Sequence, residues 1–112
     1  MNITDYNDQP VAETPHGVDV RKLLDSEYAQ VIEIVLEPGE ALKKHITPTN
    51  VFFYILDGEG VVEIGDEHET VASDQLIESP EGIPHRLVNE GDAPFRFLVV
   101  KAPRQTETTR LL

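Results

Sequence analysis

The chain has 112 residues, 39% of them apolar and 27% charged, a balance that supports one packed core and lies far from the composition of disordered chains. Twenty-one Asp and Glu against nine Lys and Arg leave a formal charge of -12 at pH 7, which repels a phosphate backbone, so neither nucleic acid nor an anionic membrane surface is expected as a partner. Without cysteine there is no disulfide framework, thiolate metal site or thiol nucleophile, and any reactive site must use His, carboxylate or hydroxyl groups.

The opening MNITDYNDQPVAETP has no basic start and no apolar run, so neither a secretion signal nor a membrane span is expected and a cytoplasmic location is the default. With Pro10 and Pro15 it reads as a polar leader over residues 1–15, disordered or laid along the body as an edge strand. Val20 to Glu27 (VRKLLDSE) is the best helical candidate, although its Leu23-Leu24 pair fits a strand equally well. From Gln30 onward short β-rich runs recur: Gln30 to Leu36, Val51 to Leu56, Val61 to Ile64, Thr70 to Ala72, Leu76 to Glu78, His85 to Val88 and Phe95 to Lys101. Turn residues separate them, including Glu37-Pro38-Gly39, Asp57-Gly58, Gly65-Asp66 and Pro80-Glu81-Gly82. Short strands at this spacing predict an all-β antiparallel sandwich or barrel with little or no helix, one domain over residues 16–103. Residues 104–112 form a polar tail.

Two stretches have a spacing that strand propensity does not produce by itself: PGEALKKHITPTNVFFYILDG from Pro38 to Gly58, and DQLIESPEGIPHRLVN from Asp74 to Asn89. They resemble the two motifs of the cupin superfamily, G-x5-H-x-H-x3-E-x6-G and G-x5-P-x-G-x2-H-x3-N. Gly39, His45 and Gly58 fit the frame of the first; Pro80, Gly82, His85 and Asn89 fit the second, whose opening glycine is replaced by Asp74. The resemblance, covering about residues 30 to 101, implies an RmlC-like jelly roll: an antiparallel double-stranded β-helix. It also implies a homodimer, made by packing sheets or by exchanging an N-terminal strand, for which the leader and Val18 to Val20 are the candidates.

Metal-binding members of that family use two histidines and a glutamate from the first motif and a histidine from the second. Here Thr47 occupies the second histidine position and Val51 the glutamate position, so the metal set reduces to His45 and His85. A threonine hydroxyl is a weak ligand and valine has no lone pair, so a divalent ion (Zn, Mn, Fe or Ni) is expected to bind weakly unless Glu33, Asn50, Glu63 or Glu78 turns inward. Strand alternation puts Val51, Phe53 and Ile55 on one face, making the ligand position apolar, and turns Tyr54 away from it. The ligand-binding set read from the sequence is therefore His45, Thr47, Val51, Phe53 and His85, facing a small organic molecule, with no reaction assigned. The alternative is a metal-dependent enzyme of the dioxygenase or isomerase/epimerase class. His16 and His68 lie in polar surroundings and are expected to be solvated.

Overall fold

The computed structural model describes residues 1–112. Ten strands follow one another: β1 (Asp19–Asp25), β2 (Gln30–Leu36), β3 (His45–Ile46), β4 (Val51–Asp57), β5 (Glu59–Ile64), β6 (Glu67–Ala72), β7 (Leu76–Ser79), β8 (His85–Val88), β9 (Phe95–Lys101) and β10 (Arg110–Leu111). The one helical piece is a 3-10 turn at Tyr6–Asp8. No helix is long and apolar enough to cross a membrane.

Val20 to Glu27 is not a helix. Its residues through Asp25 form β1, because the apolar run of β2 offers a partner and Ser26 closes a tight hairpin by accepting from the Ala29 amide. The adjacent leucines, which read ambiguously, are absorbed by a register shift between Lys22 and Leu24.

The strands build two five-stranded antiparallel sheets, in the orders β1-β2-β9-β4-β7 and β10-β3-β8-β5-β6. One contiguous core lies between them, and Leu36, Phe53, Ile55, Leu87, Phe95 and Phe97 are its fully buried members. Alternation does the sorting: along β4, Val51, Phe53 and Ile55 point inward while Phe52 and Tyr54 stay half-exposed. In the register of β4 with β9, Val51 faces Lys101, Phe53 faces Val99 and Ile55 faces Phe97. Directly opposed residues share a face, so Phe95, Phe97, Val99 and Lys101 make one inward row.

Two corners explain motif positions that carry no chemistry. Gly58 has φ 82, and a Cβ there would lie 2.3 Å from the Pro94 carbonyl oxygen. Asp74, standing where the motif has glycine, adopts φ 70, a left-handed conformation that Asp tolerates better than most side chains. Its amide donates to the Ile55 carbonyl (2.9 Å), and its carboxylate accepts from the Tyr54 hydroxyl (3.1 Å). The replacement thus keeps the bend that glycine would make.

Both chain ends return to the barrel. The Ala12 amide donates to the Val20 carbonyl (2.7 Å), Tyr6 donates to Asp19 (2.6 Å), and the Arg21 guanidinium lies 4.1 Å over the Tyr6 ring. At the other end, β10 adds to the edge of β3, with Leu111 opposite His45.

Candidate functional site

β3 and β8 pair at a single register position, His45 opposite His85, and both side chains enter the barrel. Their rings meet edge to face with centroids 4.5 Å apart, and the Phe53 ring packs edge to face on His85 at 5.3 Å. The partners fix the proton positions. His45 Nδ1 is 2.7 Å from the Lys43 carbonyl, which only accepts, so Nδ1 carries the proton and Nε2 is a bare lone pair. His85 Nε2–H then donates to His45 Nε2 (3.1 Å) and shares that proton with Thr47 Oγ1 (3.1 Å). His85 Nδ1 accepts from the Ser79 hydroxyl (2.6 Å). The network is complete with both rings neutral.

His16 belongs to this group, against the expectation that it is solvated. The folded-back leader sets its ring 4.8 Å from that of His45, and its Nδ1 accepts from the Lys43 amide (2.9 Å), leaving the proton on Nε2. His68 is exposed on β6 as expected. Burial, reinforced by the neighbouring imidazoles and Lys101, pushes His85 down from 6.5 to about 3 and His16 down to about 4. Burial lowers His45 as well, opposed by its bond to the Lys43 carbonyl. All three imidazoles are neutral at physiological pH.

These rings border a cavity of about 200 Å³. His45, Thr47, Phe53 and His85 are on its wall together with His16 and Lys101, while Val51, the remaining residue singled out from the sequence, is buried in the core and does not line it. Thr14 contributes from the leader, and Thr109 and Leu111 from the tail. A wider groove of about 1000 Å³ runs between the β5–β6 hairpin and β7, but it is open, bordered by Asp66, Glu67, Glu69 and Glu78, and remote from the paired histidines in its lining.

The donor set does not fit a tightly held transition metal, which takes three or more protein ligands. No group of three or more His, Asp or Glu side chains is placed to hold an ion. Each oxygen donor left open by the sequence is engaged elsewhere or turned outward: Glu33 pairs with Arg96, Glu63 with Arg86, Asn50 accepts from the Glu81 amide, and Glu78 is exposed. His16 presents an N–H rather than a lone pair once its Nδ1 is used.

Fold and site together define a small double-stranded β-helix barrel with a histidine-bordered interior pocket. The cupin domain profile matches residues 32–101, and the chain belongs to the cupin family. An uncharacterised protein of Methanocaldococcus jannaschii is 31% identical over 85 residues, covering 75% of this chain and 73% of its own. The tetracenomycin polyketide synthase protein TcmJ of Streptomyces glaucescens is 30% identical over 71 residues, 62% of this chain and 48% of that protein. A Thermus thermophilus structure superposes with TM-score 0.78 at 33% identity, covering 93% and 99% of the two chains. The polyketide cyclase RemF of Streptomyces resistomycificus superposes at 0.85 with 23% identity, over 100% of this chain and 85% of its own, a likeness of fold.

Sequence reasoning missed Lys101 and His16 on the wall, and Ser79, which bonds to His85 without lining the cavity. Lys101 was open to strand parity, sitting two positions beyond Val99 in an inward-facing row. Ser79 carries no signal beyond its position before Pro80, and His16 none at all, since its place depends on the leader folding back.

Proposed function

We propose that this cupin is a binding protein for a small organic molecule, held in the interior cavity with His45 and His85 at its polar end, Thr47 and Phe53 on its wall and Val51 in the core. The observation that carries the reading is the completed His45–His85–Ser79 network: two neutral rings fully hydrogen-bonded to protein partners, with too few further donors to keep a resident metal. The same depressed basicity argues against metal-free proton transfer, because an imidazole pushed down to about 3 is a feeble base at neutral pH. What the wall offers a ligand is apolar surface and hydrogen-bond donors. Thr47 keeps its own hydroxyl proton after accepting from His85, and His16 keeps its Nε2–H.

The test is a fragment screen read on the histidine ring resonances by NMR. Binding fragments are expected to shift the His45 and His85 ring signals, and His85→Ala is expected to weaken binding while unfolding stays cooperative. A screen whose hits leave those rings untouched overturns the proposal, and a collapsed fold in His85→Ala marks that residue as structural.

The alternative, a metal-dependent enzyme, has one observation in its favour. The 3.1 Å between the two Nε2 atoms is a span that two imidazoles adopt around one ion at about 2.1 Å from each. TcmJ, being a polyketide synthase protein, keeps an enzymatic role in view. We further propose a cytoplasmic homodimer that covers the edge of β1, which the leader touches along the backbone at the Ala12–Val20 bond; sedimentation measures its mass.

A further inference from the structure

We propose that the ligand is a compact organic anion, a carboxylate or enolate of about one ring, and that Lys101 is the residue that selects it; the proposal rests on the small-molecule reading above. Lys101 is the last member of the inward row of β9, opposite the buried Val51, at a position where a valine or leucine would satisfy packing alone. A cation placed there is costly unless it meets a partner, and this one has little. It takes part in none of the ion pairs of the molecule. Its one hydrogen bond goes to a neutral amide oxygen, Gln105 Oε1, at 2.7 Å, which leaves two of its three N–H groups for something else.

The rest of the cavity points the same way. In a chain of charge -12, the wall contains no Asp or Glu. Its other polar groups include the Thr47 hydroxyl and the His16 N–H, donors both, whereas the histidine lone pairs are spent within the protein. Donors with no carboxylate among them, around an ammonium that forms no ion pair, suit an oxyanion. The Lys101 charge is felt by His16, His45 and His85 alike, each lowered partly by it, so the ammonium lies electrostatically within the same site. A volume of about 200 Å³ is below the roughly 300 Å³ where drug-sized pockets begin, which limits the ligand to about a single ring.

Benzoate, benzamide and benzylamine, near-isosteres that are anionic, neutral and cationic, test this by backbone-amide NMR titration at pH 7.5, read at Thr47, His85 and Val99. Benzoate is expected to bind about tenfold more tightly than benzamide, with benzylamine weakest, and Lys101→Met or Lys101→Gln is expected to remove the preference while benzamide binding is kept. Equal binding of benzoate and benzamide, or a preference that survives both substitutions, overturns the anion selection and leaves the small-molecule reading standing. If none of the three shifts those amides at millimolar concentration, both readings fall. Because the charge series is run on the unaltered protein, the comparison holds even where a variant unfolds.

Discussion

Acid should unfold this protein partly through one buried ring, and the size of that effect follows from its environment. His85 is held down from 6.5 to about 3 by burial and by its neighbour His45. Between those two values the unfolded chain binds a proton at His85 that the native barrel does not, so stability is whole above about pH 6.5 and is lost as the pH falls toward about 3. One proton corresponds to at most about 1.4 kcal/mol per pH unit, and from pH 6 to pH 4 His85 alone accounts for about 2.5 kcal/mol. His16 adds less, being nearer solvent. Carboxylates titrate in the same range, so the assay must be differential: urea unfolding of the natural protein and of His85→Gln at pH 6, 5 and 4. The variant starts less stable, and the gap between the two should narrow by about 2.5 kcal/mol on going to pH 4. Parallel curves would refute the argument, because they would mean that His85 titrates alike in the folded and unfolded chains.

The interior makes three further claims. At Gly60 an added Cβ would sit 2.2 Å from the Phe95 ring, which is itself fully buried, so Gly60→Ala should cost about 3 kcal/mol in urea unfolding; a change below 1 kcal/mol would show that the ring has room to move. Purified protein should carry well under one equivalent of Mn, Fe, Co, Ni or Zn by elemental mass spectrometry, with a melting temperature unmoved by adding them. Restoring the missing ligands together, as Thr47→His with Val51→Glu, should bring one of these metals toward one equivalent and raise the melting temperature. Stoichiometric metal in the unaltered protein would sink the donor-set argument.

Much of the barrel was legible because its strands advertise their faces. The runs from Gln30 to Leu36 and from Phe95 to Lys101 coincide with β2 and β9, and the alternation of Val51, Phe53 and Ile55 sets the inward side of β4. The paired histidines were legible through the motif frame, and the departure at Asp74 proved to keep the backbone bend. What the sequence left open depended on contacts between distant segments. Glu33 is nearly inaccessible, yet its burial comes from pairing with Arg96 near Tyr6 of the leader and Arg21 of β1 rather than from facing the histidines. Local pattern could not decide between these two kinds of burial. The tail offered still less: its backbone pairs with β3, but its exposed Arg110 and Leu111 show no alternation of burial to betray a strand.

The cavity mouth is assembled from opposite ends of the chain, Thr14 to His16 on one side and Thr109 with Leu111 on the other. The second side hangs on a two-residue edge strand, continued by the Leu112 amide donating to the Lys44 carbonyl at 3.2 Å. So short an attachment, exposed along its length, belongs to the low end of the range of local opening free energies, whereas Phe53 and Phe97 beneath it open only with the whole barrel. Entry to the pocket is therefore decoupled from global unfolding: amide exchange at Leu112 should be fast while that at Phe97 stays slow, and a ligand's residence time should follow the tail's fluctuations rather than the melting temperature.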